Sequence, residues 1–211
     1  MPETSVSYGK LEIALADAAS LLSGLPMHDV GSTLQQIRLR SYILICHAAF
    51  EEYLEQLSLA VLSESLREFE RDGKVRDPLL CACAYYKLPL LGAAGGDRCS
   101  GDALNALLHD LFKKSIEEHS MALDGVHGIK TKDQDSILMP VGLNLFSHDR
   151  LLSQALNSFG GKRGKYAHGL GFKMVTPRAG WEKTVSDLLR LTLPLDNMLC
   201  ERHKISFRGI G

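Results

Sequence analysis

One helical pattern dominates the chain. It opens after "GST", where Thr33 and Gln36 are spaced as a capping box, and it runs through Ile37, Ile45, Phe50, Leu54, Leu57 and Val61 towards Phe69. "RDGK" then stops it. From Tyr42 to Phe50 apolar residues lie nearly all round this helix, a distribution expected only where neighbours cover it from every side. A long helix of this kind has to sit at the centre of its fold.

The remaining segments supply helices to pack around it. Leu11, Leu15, Ala18, Leu22 and Leu25 mark a first amphipathic helix that ends near Gly24 to Pro26. "DPLLCACAYYKLPLL" reads as a shorter helix after Pro78, and "GAAGGDRCSG" as a mobile connector. Ser100 or Asp102 is placed to cap a helix carrying Leu104, Leu107, Leu108, Leu111, Phe112 and Ile116. "DGVHGIKTKDQDSILMPVGLN" is irregular, with a short helix around Ser136 to Met139. Helical spacing resumes from Asp149 to Phe159. Thr176–Pro177 opens a last helix through Trp181, Leu188, Leu191 and Leu195. No segment alternates as a strand does. The expected fold is all-α, a helical bundle with a long central helix. Residues 1–30 would form an N-terminal helix packed on a helical domain of residues 31–208, a single domain overall.

Composition narrows the setting. The chain has 211 residues, 45% of them hydrophobic and 23% charged, which suits one soluble globular core. Five cysteines at irregular spacing do not form a disulfide framework. "MPETSVSYGK" lacks the pattern of a signal peptide, and Tyr42–Phe50 is far short of the roughly 20 residues a membrane span needs. A cytoplasmic protein without a membrane partner is expected.

The formal net charge is -1, so no global basicity points to nucleic acid. The local balance differs. No acidic residue occurs from Leu151 to Trp181, a stretch that holds Lys162, Arg163, Lys165, His168, Lys173 and Arg178. A solvated basic face is the plain reading. Tyr166 and Phe172 interleave with these cations, however, and aromatic rings stack on unpaired bases. Within "GGKRGKYAHGLG", Arg163 offers a permanent planar charge that fits phosphate oxygens, and His168 can accept and return a proton near neutrality. Those are the two functions needed for RNA cleavage without a metal: a base helps the 2′-hydroxyl attack phosphorus while a cation holds the growing phosphoryl charge. Five helical residues turn through roughly 140°, so one copy of the pair makes a loose site. Two copies across a twofold axis would make a composite one.

"NSFGGKRGKYAHG" resembles the Arg-x4-6-His signature of HEPN domains, in the branch called RiboL-PSP-type HEPN. The order of segments is similar too: "HAAFEEYLEQL" at His47 to Leu57, "GVHGIKTKDQDSILMPVGLN" at Gly125 to Asn144, the motif, then a closing helix. The similarity covers residues 33 to 205. It implies a HEPN-like all-α fold, a homodimer with a composite active site, and a metal-independent endoribonuclease. Cleavage would leave 2′,3′-cyclic phosphate and 5′-hydroxyl ends. The role implied is that of a toxin or defence effector, with an antitoxin or regulatory protein as partner besides RNA. Carried over by position, Arg163 and His168 match the motif, and Glu51, with Glu52 beside it, matches the supporting acidic residue of the long helix. Lys162, Lys165, Tyr166 and Lys173 would bind substrate. Gly164 departs from the pattern, because many HEPN nucleases carry Asn or Asp straight after the arginine. That departure keeps open a non-catalytic HEPN module binding RNA, a nucleotide or a partner protein. A purely structural helical protein is the third alternative.

Other features read as structural. His47 lies one turn before Glu51 and suits a structural hydrogen bond. Cys81 and Cys83 with His109 and His119 match no zinc pattern. "GAAGGDRCSG" lacks the ending of a phosphate loop, and there is no Glu-x-x-His or His-Glu-x-x-His. No metal and no cofactor are expected.

Overall fold

The computed structural model describes residues 4–28, 30–89, 100–167 and 176–203. Among the described residues it contains eight α-helices and no strand. They are α1 (Val6–Ala19), α2 (Thr33–Asp72), α3 (Asp77–Tyr85), α4 (Gly101–Leu123), α5 (Thr131–Leu138), α6 (Leu145–His148), α7 (Arg150–Ala167) and α8 (Arg178–His203). Short 3-10 turns follow α1 at Ser20–Leu22 and α5 at Met139–Val141.

Helix α2 is 40 residues long, about 60 Å, and organises the rest. Its capping box lies one residue earlier than the spacing of Thr33 and Gln36 suggests. Ser32 is the N-cap, accepting from the Gln35 N–H, and the Gln35 side chain accepts from the Ser32 N–H. Either pair fits the pattern, and the extended backbone of Ser32 decides between them. Gly73 closes the helix at φ 66°, a left-handed conformation that glycine adopts without strain.

Two apolar cores lie along α2. The larger joins its first two thirds to α1, α7, α8 and the segment around α5. Within it, Phe50, Phe159 and Trp181 meet edge to face at 6.2 and 6.0 Å, so α2, α7 and α8 share one aromatic centre. The smaller joins Phe69 to Leu79, Cys83 and Phe112 of α3 and α4. Leu104 and Leu107, part of the apolar pattern of α4, stay exposed because its first turns reach beyond this core. Ile37 and Ile45 are likewise exposed on α2.

Buried polar groups lock the ends together. Asp196 of α8, fully buried, accepts from the Ser5 N–H and hydroxyl at the start of α1 and from the Tyr53 hydroxyl of α2. Arg178 belongs to this framework too. Its guanidinium donates to the carbonyls of Leu22 and Leu25 and pairs with Glu182, so it fastens the turn after α1 to α8. That corrects its assignment to the basic patch: its terminal nitrogens are committed to two backbone carbonyls and the Glu182 carboxylate. No helix among the described residues is long and apolar enough to cross a membrane.

Candidate functional site around Arg163

Helix α7 runs on past Phe159 through "GGKRGKYA", so the basic stretch begins as helix and not as a turn. Phe159 points into the aromatic centre. Gly160, one residue on, lets α7 settle against its neighbours. A Cβ there would lie 3.3 Å from both Ile129 Cγ1 and Lys130 Cγ and 3.6 Å from His47 Nε2. One turn after Phe159 comes Arg163, partly buried, whose Nε is enclosed without a hydrogen-bond partner among the described residues.

Arg163 lines a cavity of about 330 Å³ together with His47, His127, Gly128, Lys130, Lys132, Asp133, Gly160 and Gly164. Three chain segments build it. The wall from residues 127–133 is fastened to α7 by Gln134, whose amide donates to the carbonyls of Ile129 and Ser153 while its oxygen accepts from the Ser153 hydroxyl. The Thr131 N–H donates to the Asn157 side chain as well. Asp133 accepts from the Lys130 N–H at 3.0 Å and closes the first turn of α5. Its carboxylate fills the space where any side chain on residue 128 would start: a Cβ on Gly128 would sit 2.5 Å from Asp133 Oδ2. Any other residue at 128 would have to push the Asp133 carboxylate aside. The cavity carries the charges of Lys130, Lys132 and Arg163 against one carboxylate, Asp133, with its two imidazoles in addition. Such a wall favours an anion.

His47 is the least expected member. It sits on α2, 2% exposed, stacked on Phe159 with ring centroids 6.1 Å apart. The structural hydrogen bond to Glu51 suggested by their spacing is not formed. Glu51 Oε2 approaches Nδ1 to 3.5 Å, but that nitrogen has no hydrogen bond among the described residues. Glu51 is thus not itself a cavity residue; it stands behind His47, on the Nδ1 edge of the ring. Glu52 faces elsewhere, lining a groove between α1 and α2 with Lys10 and Asp17.

Of the other expected site residues, Lys162 is exposed and lies outside the cavity lining, with its ammonium 5.8 Å from the centre of the Trp181 ring. His168 and Lys173 lie outside the described residues, as do the side chains of Lys165 and Tyr166. The cysteine and histidine set comes apart: His109 pairs with Glu70, and His119 bonds to Ser58 and Tyr86. Among the described residues no group of ligating side chains could hold a metal.

A model of the RiboL-PSP-HEPN family matches residues 13–201, nearly the whole chain. The chain belongs to the RiboL-PSP-HEPN family. The resemblance in the Arg163 segment is thus part of a match extending from α1 to the end of α8. No curated protein and no solved structure matches this HEPN chain.

His47, His127, Lys130, Lys132 and Asp133 are the cavity residues that sequence reasoning passes over. The signal for them was present in part. "GVHGIKTKDQD" is dense in charge for a segment that also supplies core residues, and His47 interrupts the most apolar stretch of α2.

Proposed function

We propose that this HEPN protein is an endoribonuclease that needs no metal, cleaving RNA by 2′-hydroxyl attack to leave 2′,3′-cyclic phosphate and 5′-hydroxyl ends. The observation that carries the reading is the Arg163 guanidinium, with one nitrogen enclosed and unpaired among the described residues, in a cavity walled by Lys130 and Lys132. A phosphoryl group satisfies such a fork of donors. Arg163 would hold the scissile phosphate and stabilise the charge that builds on it, and His168 would move the proton. Glu51 would support the site through His47. Lys162, Lys165, Tyr166 and Lys173 would hold the RNA on either side. A homodimer that sets two copies of the motif face to face would complete a composite site. The same proposal includes one domain, with residues 1–30 packed on 31–208, and a cytoplasmic toxin or defence effector restrained by an antitoxin or regulatory protein.

The test is incubation of purified wild type, Arg163→Ala and His168→Ala with labelled single-stranded and transfer RNAs in EDTA. New cyclic-phosphate and 5′-hydroxyl ends from wild type alone are expected. Equal cleavage by both variants would rule the mechanism out. A second reading draws on Gly164, which lines the cavity and where an added Cβ would meet nothing within 4 Å. A bare lip there suits a non-catalytic module that retains RNA, a nucleotide or a partner protein. That reading expects salt-sensitive RNA binding without new ends.

A further inference from the structure

We infer that His47 is a proton-transfer group of this site, exchanging a proton between its Nε2 and RNA in the cavity while Glu51 faces Nδ1. The inference rests on the nuclease reading above. In that reaction the 2′-O–H bond breaks, its proton passes to a base, and the 2′-oxygen bonds to phosphorus. The P–O5′ bond then breaks, and the leaving oxygen takes a proton from an acid. Two transfers are required; the Arg-x4-His motif supplies one imidazole per chain, two where a dimer joins two motifs, and His47 adds a further imidazole inside each chain's own cavity.

The geometry of His47 suits the other transfer. Phe159 fixes the ring plane by stacking, and the absence of a Cβ at Gly160 leaves room beside Nε2. The ring lines the same cavity as Arg163, so a phosphate held there would have its ester oxygens near an imidazole. On the opposite edge the Glu51 carboxylate stands 3.5 Å from Nδ1, close enough to orient the ring and to follow its charge. Most polar side-chain atoms buried at this depth are hydrogen-bonded. His47 has no hydrogen bond at Nδ1 among the described residues, and the ring lines a charged cavity with Nε2 on the side of Gly160. Among the described residues, the charged and titratable groups around it are Glu51 on its own helix, His127, Lys130, Lys132 and Asp133 on the α5 side, and Arg163 on α7.

The deciding experiment compares wild type, His47→Gln, Glu51→Gln and His168→Ala in the full chain. It measures turnover and RNA affinity from about pH 5 to pH 9, with thermal unfolding as a control for folding. His47→Gln is expected to lower kcat by roughly 10²- to 10⁴-fold, to leave RNA affinity within about threefold, and to remove one limb of the pH profile. Glu51→Gln is expected to displace that same limb with a smaller loss. Wild-type turnover in His47→Gln, or a loss with the shape of the profile unchanged, overturns the inference. Should His47→Gln fail to fold, Glu51→Gln decides: an unchanged profile counts against the role. A wild type that cleaves nothing refutes the nuclease reading first. Loss in His168→Ala with His47→Gln intact refutes the His47 role alone.

Discussion

Two histidines, His47 and His119, lie equally deep in this bundle, 2% and 0% exposed, and their surroundings differ at every polar atom. His119 of α4 bonds through both nitrogens, to Ser58 Oγ at 2.9 Å and to the Tyr86 hydroxyl at 2.8 Å. The Ser58 hydroxyl donates to the Glu55 carbonyl, so the ring donates from Nε2 and accepts from Tyr86 at Nδ1. Burial lowers the His119 pKa to about 4 and keeps the ring neutral at pH 7. It ties α2, α3 and α4 together and has nothing left to offer a ligand. His47 has a carboxylate beside one nitrogen and a cavity beside the other. Depth alone therefore does not separate a histidine whose hydrogen bonds serve the fold from one that borders a cavity. What separates them is whether the protein has used up the hydrogen bonds.

Truncating the two rings should show this most strongly. His119→Ala leaves a cavity and orphans Ser58 and Tyr86, and should cost roughly 3–4 kcal/mol in urea unfolding with an unchanged slope. His47→Ala, beside a space that water can enter, should cost roughly 1–2 kcal/mol. The reverse order would break the comparison.

Acid should sharpen it. The folded pKa of His119, about 4, lies below its ordinary 6.5, so between these values the unfolded chain binds a proton that the folded ring refuses. The stability contributed by neutral His119 is complete above pH 6.5 and is lost as pH falls to about 4, a change of roughly 3 kcal/mol. The advantage of wild type over His119→Gln, measured by denaturation across this range, should shrink by about that amount.

A smaller effect separates the glycines of α7. At Gly161 an added Cβ meets nothing within 4 Å, so Gly161→Ala should stabilise the protein by roughly 0.5–1 kcal/mol through helix propensity. Gly160→Ala meets Ile129 and Lys130 and comes near His47 Nε2. Its propensity gain should be cancelled, and RNA cleavage should fall although the helix persists. Thermal unfolding and cleavage measured on both variants check the contrast.

The smallest expected change concerns Glu55. Burial, then Glu51, Glu52 and Asp124, raise its pKa from 4.5 to about 7. The folded state therefore binds the extra proton between those values, and stability rises as pH falls through that window, opposite in sign to His119. Glu55 is partly exposed, and solvent screening keeps the gain from Glu55→Gln at pH 7.5 below roughly 1 kcal/mol. The gain should vanish near pH 4.5.

Much of the fold was legible because it depends on spacing within one segment. Leu11, Leu15, Ala18, Leu22 and Leu25 are all buried, α2 ends at "RDGK", and Ser100 caps α4, as local pattern and cap chemistry require. One error was local and one was long-range. The capping box shifted by one residue because Ser32 and Thr33 are both competent caps. Arg178 read as a free cation because no sequence rule reports that carbonyls at Leu22 and Leu25 will stand opposite it.

The candidate site divides along the same line. Arg163 stood out by type, by its local charge asymmetry and by the motif around it, all of which are properties of neighbouring residues. The sequence by itself determined an all-α chain with a long central helix and a basic segment held near the end of α7. Only the tertiary structure decided that His47 and residues 127–133 would face Arg163, and that Glu51 would reach the site through an imidazole. The physical reason is that periodicity reports which face of a helix is apolar. Which other surface that face will meet depends on packing between segments far apart in the chain, 30 residues from Asp133 to Arg163 and 116 from His47 to Arg163.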